Sequence, residues 1–182
     1  MAEISLIRGG PDDLAKLERL LQLYLHDFSS YAGAQSEHGL IGDDGRFAYH
    51  DHDGGLAGFL KNPDRSAWFF EMPHPHTNSG KTLAGFALVN AWSPSGRDTD
   101  YVVAEFHVLR KFRRTGLGMT AAHKLFEALP GTWELGILDD NVGARAFWPK
   151  VVQSGPCRNA ELHRGDGDRW DGDIWRFLSH GS

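Results

Sequence analysis

Two side chains with acid–base chemistry, Glu105 and His107, stand two positions apart in the apolar segment Tyr101 to Val108. The composition of this segment predicts a β-strand. Strand alternation predicts one face with Tyr101, Val103, Glu105 and His107, and an opposite face with Ala104, Phe106 and Val108. A carboxylate and an imidazole side by side can accept and pass on a proton near neutral pH. The segment therefore predicts an acid–base pair near the end of a strand.

A basic, glycine-rich turn, Arg113-Arg114-Thr115-Gly116-Leu117-Gly118, follows that strand. It precedes a predicted helix from about Thr115 to Leu129, which ends at Pro130-Gly131. Gly116 and Gly118 let backbone N–H groups approach a ligand without obstruction by a Cβ atom. The start of a helix adds unpaired N–H donors and a positive dipole end, and the arginines add charge. The turn is thus predicted to bind phosphate.

Two nucleotide-binding motifs compete for this turn. A P-loop is excluded because no Gly-Lys-Ser/Thr follows at the required spacing. The dinucleotide fingerprint fits better, since Gly116-x-Gly118-x-x-Ala121 is followed by Asp139 and Asp140. However, four basic residues separate Leu109 from Thr115, and the rest of the chain is too short for further parallel units. A dinucleotide site remains a minor alternative.

Beyond these residues, the chain resembles the GNAT superfamily of acetyltransferases. The glycine turn fits the family's Arg/Gln-x-x-Gly-x-Gly/Ala motif, and Asn141-Val142-Gly143-Ala144-Arg145-Ala146-Phe147-Trp148 is similar to its Asn-x-x-Ala-x-x-Phe-Tyr segment. The resemblance implies an α/β (mixed α+β) fold. It would be one domain over residues 1–182, with a central, mostly antiparallel sheet that is splayed at the cofactor site and flanked by helices.

The resemblance also implies acetyl-coenzyme A as cosubstrate. Backbone groups near Phe106 and Val108 would pair with the pantetheine amides, N–H groups of the turn would hold the pyrophosphate, and Phe147 would flank the thiol. The cofactor-binding residues implied in this way are Phe106, Val108, Arg113, Arg114, Thr115, Gly116, Leu117, Gly118, Asn141 and Phe147.

For the chemistry, the resemblance makes Glu105 the first candidate for the general base, with His107 as the alternative. The family's usual general acid is the tyrosine that follows the phenylalanine, and Trp148 stands there in this chain. An indole N–H donates hydrogen bonds but is no usable acid at neutral pH. We therefore assign no general acid.

Apolar residues at helical spacing predict a first helix that runs to about Phe28. The resemblance implies an acceptor site at the end of this helix and in the irregular segment that follows. Candidate acceptor-binding residues are Tyr24, His26, Asp27 and Tyr49. Residues 37–64 carry six carboxylates, Glu37, Asp43, Asp44, Asp51, Asp53 and Asp64, against Arg46 and Lys61. If this segment covers the cleft, it would favour a cationic acceptor.

The composition limits the alternatives. The chain has 182 residues, a formal charge of −5 and a single cysteine, which excludes an internal disulfide framework and a cysteine-based zinc site. His50-Asp51-His52-Asp53 and His74-Pro75-His76 lack a third spaced ligand, so we expect no metal. An acidic chain with one basic cluster argues against bulk nucleic-acid binding. We expect no membrane association and a cytoplasmic location, because no apolar run or signal peptide is evident.

Three functions remain open on the sequence. The first is an N-acetyltransferase that acts on a primary amine of a small molecule by direct transfer. The second is a non-catalytic acyl-coenzyme A binding or sensing module, and the third is a protein lysine or N-terminal acetyltransferase. The resemblance leaves room for a homodimer.

Overall fold

The computed structural model describes residues 3–31, 39–49 and 55–181. The strands are β1 (Ser5–Arg8), β2 (Ser66–Pro73), β3 (Lys81–Asn90), β4 (Tyr101–Val108), β5 (Gly131–Ile137), β6 (Cys157–Arg164) and β7 (Asp173–Ser179). The α-helices are α1 (Leu14–Phe28), α2 (Gly55–Lys61), α3 (Leu117–Ala128) and α4 (Val142–Val152). No helix in these ranges combines the length and the apolar character needed to cross a bilayer.

The strands form one sheet in the order β1-β2-β3-β4-β5-β7-β6. Neighbouring strands are antiparallel except β4 and β5, which are parallel. The β4–β5 ladder joins only Tyr101–Val103 to Trp133–Leu135. Beyond these residues the two strands diverge and leave a gap in the middle of the sheet. The predicted mixed fold and splayed, mostly antiparallel sheet are confirmed.

Helices cover both faces of the sheet. On one face, α1 and α2 bury Leu17, Leu21 and Phe59 against Phe69, Phe86 and Leu88 of β2 and β3. On the other face, α3 and α4 bury Ala121, Leu125, Phe126, Trp148 and Val151 against strand residues that include Trp133 and Phe177. Apolar side chains thus pack against both faces of the sheet.

A β-bulge in β4 corrects the predicted face pattern. Leu88 of β3 pairs with Glu105, but the next residue, Val89, pairs with Val103, so Ala104 is an extra residue in β4. A bulge shifts the alternation of side chains by one position. Val103 and Tyr101 therefore share the α3/α4 face with Phe106 and Val108, and Ala104 lies on the α1/α2 face. Glu105 and His107 remain on one face, as predicted.

Local backbone geometry sets the starts of α1 and α3. Pro11–Asp13 form a 3₁₀ turn before α1, in which the Asp13 carboxylate accepts a hydrogen bond from Gly10 N at 3.0 Å. Helix α3 begins at Leu117 and not at Thr115. The reason is that Arg114 and Gly116 have φ values of 61° and 84°, in the left-handed region that an α-helix cannot contain.

Candidate active site

A cleft of about 800 Å³ opens where β4 and β5 diverge. Eight of the predicted cofactor-binding residues line it: Phe106, Val108, Arg113, Arg114, Gly116, Gly118, Asn141 and Phe147. Leu117 and Thr115 are not in its wall. The Leu117 side chain is buried in the core, and the Thr115 hydroxyl donates to the Phe112 carbonyl at 2.7 Å.

The glycine turn forms the mouth of this cleft at the start of α3. Arg114 and Gly116 both adopt left-handed backbone conformations, and successive N–H groups in such turns make anion-binding concavities. A Cβ atom added at Gly116 would have no atom within 4 Å, whereas one at Gly118 would lie 3.4 Å from Phe147 and Val108. Gly116 is therefore favoured by its backbone angle, whereas a Cβ atom at Gly118 would only touch the cleft floor at van der Waals distance.

Aromatic rings form the apolar part of the cleft. The Phe106 ring stacks on Phe147 with centroids 5.9 Å apart and meets the edge of Trp148 at 5.1 Å. Phe147 and Trp148 lie edge to face at 4.9 Å, and Trp148 is almost fully buried. Trp148 thus forms part of the apolar wall of the cleft, where its indole offers no acid–base group.

Asn141 lines the cleft and also caps α4. Its Oδ1 accepts a hydrogen bond from Ala144 N at 3.0 Å, which satisfies one of the free donors of the first helical turn. This cap holds the start of α4 against the open end of β5. Contact of Asn141 with a ligand stays a prediction.

A cluster of opposite charges joins α1 to the glycine turn. The Asp27 carboxylate accepts hydrogen bonds from Arg110 Nε at 2.8 Å and from Arg113 Nη2. Arg113 Nε also donates to the Val108 carbonyl at 2.7 Å. Burial would raise the pKa of Asp27, but the two guanidinium groups hold it below its usual value. Arg113 and Asp27 therefore bind each other. The Arg114 guanidinium, also in this turn, takes no part in that ion pair.

His107 is buried beside this cluster, in the cleft wall. Its ring lies edge to face against Tyr24, with centroids 5.6 Å apart, and its Nδ1 is 3.5 Å from Arg113 Nη2. Burial, together with the positive charges of Arg113 and Arg110, lowers the pKa of His107 to about 4, although Asp27 opposes the shift. The imidazole is thus neutral at neutral pH.

Glu105 and Tyr24 interact across the interface between β4 and α1. The Tyr24 phenol is hydrogen-bonded to the Glu105 carboxylate, and burial and this carboxylate raise the pKa of Tyr24 well above its usual value. As far as the described residues go, the cleft wall includes Tyr24 and His107 but not Glu105. Tyr24 therefore lies between the predicted base, Glu105, and the cleft.

The predicted acceptor residues are only partly brought together. Tyr24 and Asp27 line the cleft, but His26 and Tyr49 do not. The His26 side chain is 68% exposed and packs against Phe47. Tyr49 lines a separate cavity of about 270 Å³ between α1 and the segment 42–49.

The acidic segment and the histidine clusters contribute little to the described cleft. Asp43, Asp44 and Asp64 are exposed and are not in its wall, while Glu37, Asp51 and Asp53 lie outside the described residues. His50-Asp51-His52-Asp53 also lies outside them. Within the described ranges no three His, Cys, Asp or Glu side chains are arranged to hold a metal.

The residues of the cleft wall that were not predicted include Arg110, Tyr31 and Lys150. Arg110 belongs to the basic cluster that the sequence shows, so its charge was a usable signal. Tyr31 follows α1 in a 3₁₀ turn. Its hydroxyl lies close to Gly143, since a Cβ atom added at Gly143 would be 3.0 Å from it. Only the packing of α1 toward α4 places Tyr31 at the cleft.

No protein-family profile matches the sequence, and no curated protein matches it at a significant level. Solved structures do match over nearly the whole chain. An acetyltransferase from Thermus thermophilus has 16% identity and a TM-score of 0.59, with coverage of 98% of this chain and 99% of that chain. A GNAT-family acetyltransferase from Staphylococcus aureus Mu50 has 12% identity and a TM-score of 0.55, with coverage of 96% and 98%.

A third similar structure was determined with ligands. It is a diaminobutyrate acetyltransferase from Paenibacillus lautus in complex with L-2,4-diaminobutyric acid and coenzyme A. It has 13% identity and a TM-score of 0.58, with coverage of 98% of this chain and 96% of that chain. At such identities the likeness establishes the fold, and the predicted GNAT fold is confirmed.

Proposed function

We propose, on the premise of this GNAT acetyltransferase fold, that the protein moves the acetyl group of acetyl-coenzyme A directly to a primary amine of a small molecule. The observation that carries the proposal is the cleft between β4 and β5, with the turn Arg114 to Gly118 at its mouth. Acetyl-coenzyme A supplies an acetyl group activated as a thioester. The following steps concern what the residues of this chain do.

The mouth of the cleft has the chemistry of a pyrophosphate site. Left-handed Arg114 and Gly116 and the first turn of α3 present backbone N–H donors, and the Arg114 side chain adds a charge-assisted contact. Arg110, Arg113 and Lys150 also line the cleft, and Asp27 is the only carboxylate among its described walls. The resulting positive potential favours an anionic cosubstrate.

The interior of the cleft suits the pantetheine arm and the thioester. The β4 backbone beyond Val103 is not paired with β5 in the described structure, so its polar groups can pair with amides by strand addition. Phe106 and Phe147 provide an apolar surface that excludes water. This combination fits a ligand with an anionic end, an amide-bearing arm and an apolar reactive end.

Glu105 is the proposed general base. An amine must lose a proton to attack the thioester, and a positioned carboxylate accelerates this step by roughly 10²–10⁴-fold. His107 is the second candidate, since its neutral imidazole lines the cleft. No side chain is assigned to protonate the leaving thiolate, because Trp148 is buried and its indole is no acid at neutral pH.

The same Trp148 favours a second candidate function, a non-catalytic acyl-coenzyme A binding or sensing module. A third candidate, a modifier of protein lysines or N-termini, differs in the acceptor alone. The preference for a cationic acceptor remains a prediction from residues 37–64, and Asp43, Asp44 and Asp64 do not support it at the described cleft wall.

Release of free thiol from acetyl-coenzyme A, measured with a panel of small amines, polyamines and peptides, tests the proposal. We expect release that depends on a small amine. Glu105→Gln should lower kcat by roughly 10²–10⁴-fold with unchanged affinity for coenzyme A. Glu161→Gln, at an exposed strand carboxylate far from the cleft, is the matched control and should retain full turnover.

The other outcomes identify the alternatives. Tight binding of coenzyme A by calorimetry, without thiol release for any acceptor, would replace the enzyme by the binding module. A peptide as the best acceptor would move the assignment to protein acetylation. Full turnover of Glu105→Gln would remove Glu105 from the base role and leave His107 as the candidate.

A further inference from the structure

The Tyr24–Glu105 pair links the proposed base to the wall of the cleft. Tyr24 lies on α1, where its ring is enclosed by Phe28, Phe86 and His107, with centroid distances of 5.6, 6.2 and 5.6 Å. Its phenol is hydrogen-bonded to the Glu105 carboxylate. The tyrosine is in the cleft wall and the glutamate is not. A proton that leaves a ligand in the cleft thus meets Tyr24 before Glu105.

We propose that Tyr24 relays the proton of the acceptor amine to Glu105, an inference that rests on the proposed acetyltransferase function. The ammonium group of the acceptor gives a proton to Tyr24 Oη as the phenolic proton passes to the Glu105 carboxylate. The N–H bond of the amine breaks, the O–H bond of Tyr24 is exchanged, and an O–H bond forms on Glu105. The products are a neutral amine, an intact phenol and a protonated carboxyl group, so atoms and charge balance.

The phenol is suited to a relay and not to a permanent base. Burial and the nearby carboxylate keep Tyr24 protonated at neutral pH, so its hydroxyl always has a proton to pass on. The same hydroxyl oxygen has a lone pair with which to accept one. The Tyr24 hydroxyl can therefore accept a proton from a ligand in the cleft while it donates its own proton to the Glu105 carboxylate.

The neighbouring imidazole does not offer an equivalent route. The Arg113 guanidinium can only donate, and it faces His107 Nδ1 at 3.5 Å. The lone pair of the neutral ring is thereby assigned to Nδ1, on the side of the arginine. The other ring nitrogen then carries a hydrogen, so the ring can accept a proton only at Nδ1, beside the arginine.

Steady-state kinetics of Tyr24→Phe and of Tyr24→Phe combined with Glu105→Gln test the relay. Tyr24→Phe should lower kcat by about as much as Glu105→Gln, roughly 10²–10⁴-fold, with unchanged KM and calorimetric affinity for the cosubstrate. Residues that act as a unit are strongly non-additive, so the double variant should be no slower than the slower single variant. Multiplicative losses in the double variant would overturn the relay.

Tyr101→Phe is the matched control. This tyrosine belongs to β4 but faces the opposite side of the sheet, where it packs on Trp133 at 5.0 Å. Its hydroxyl has no place in the proposed chemistry, so the control should keep wild-type kcat. Full turnover of Tyr24→Phe beside an active wild type would overturn the relay alone. Absence of thiol release by the wild type would overturn the proposed function and the relay with it.

A proton inventory on the wild-type protein tests the same step without any substitution, should Tyr24→Phe prove unstable in thermal unfolding. Two protons move together in the relay, so the plot of kcat against the deuterium fraction of the solvent should curve. A linear plot with an isotope effect would indicate a single moving proton and would contradict the relay.

Discussion

At the scale of single residues, the site is organised by what each charged side chain already contacts. Arg113 and Arg114 are adjacent in sequence but have different tasks. Arg113 binds Asp27 and the Val108 carbonyl, whereas Arg114 sits in a left-handed conformation at the cleft mouth. The Asp27–Arg113 contact also sets the electrostatic surroundings of His107. The pKa of His107 therefore depends on the charges of Asp27, Arg110 and Arg113.

His107 should remain neutral down to about pH 5, because burial and Arg113 lower its pKa to about 4. A titration of the histidine rings followed by NMR should show no inflection for His107 near the usual value of 6.5. Arg113→Gln should raise the pKa of His107 by removal of a positive neighbour, and Asp27→Asn should lower it further. An inflection near the usual value in the wild type would contradict the buried, arginine-facing position.

At the scale of elements, the cleft results from the parting of β4 and β5 and from the left-handed turn that leads into α3. The bulge at Ala104 lies next to the point where the β4–β5 ladder ends. It places Tyr101 and Val103 on the same face as Phe106 and Val108, while Ala104 lies on the α1 side. The regular alternation beyond the bulge then separates the apolar wall, with Phe106 and Val108, from Glu105 and His107.

Gly116→Val should abolish measurable binding of coenzyme A, because its φ of 84° is unfavourable for a β-branched residue and the turn would rearrange its N–H groups. The strain should also cost at least about 1–2 kcal/mol of unfolding free energy. Calorimetry with coenzyme A and urea denaturation measure the two effects.

Gly167→Val is the matched control for this turn. Gly167 has a φ of 78° and, like Gly116, has no atom within 4 Å of an added Cβ, but it lies between β6 and β7. It should show a similar loss of stability with unchanged affinity for coenzyme A. Undiminished affinity of Gly116→Val would remove the turn from the proposed binding site.

At the scale of the whole molecule, a buried carboxylate ties the β3–β4 connection to the two strands on the far side of the cleft. Glu134 on β5 is fully buried and accepts hydrogen bonds from Ser93 Oγ at 2.8 Å and Ser95 Oγ at 2.6 Å. Arg176 on β7 pairs with it at 2.7 Å. The network supports the paired part of β4 and β5, on which the opening of the cleft depends.

Glu134→Gln should lower the unfolding free energy at neutral pH by up to about 3–5 kcal/mol, because it leaves the partly buried Arg176 without its counter-charge. Burial favours a raised pKa for Glu134, but hydrogen bonds from Ser95, Ser93 and Arg176 hold it below its usual 4.5. Because the folded pKa is the lower one, the stabilisation is present above 4.5 and is lost as the pH falls through the folded pKa.

Urea denaturation at several pH values measures this prediction. The difference in unfolding free energy between the wild type and Glu134→Gln should be largest at neutral pH. It should decrease in the acid range below pH 4.5. Asp139→Asn, at an exposed pair with Arg164, is the control and should change stability little. A difference in unfolding free energy that does not depend on pH would mean that the charge of Glu134 does not stabilise the fold.

Much of the site is local in sequence and could be predicted from it. The bounds of β4 are those expected from its apolar composition, and the glycine turn lies where strand and helix patterns meet. The Asn141 segment forms the capped start of α4. Hydrophobic periodicity, glycine geometry and capping involve residues within a few positions of one another, so the order of residues alone specifies them.

The remaining features depend on residues that are distant in sequence. Asp27 and Arg113 are 86 positions apart, and Glu134 and Ser93 are 41 apart, yet each pair is in direct contact. The bulge at Ala104 arises from the register between two strands, which the alternation within β4 does not reveal. Such contacts form only when the helices and the sheet pack together, so the tertiary structure alone decided that Asp27 binds arginines and that Glu105 reaches the cleft through Tyr24.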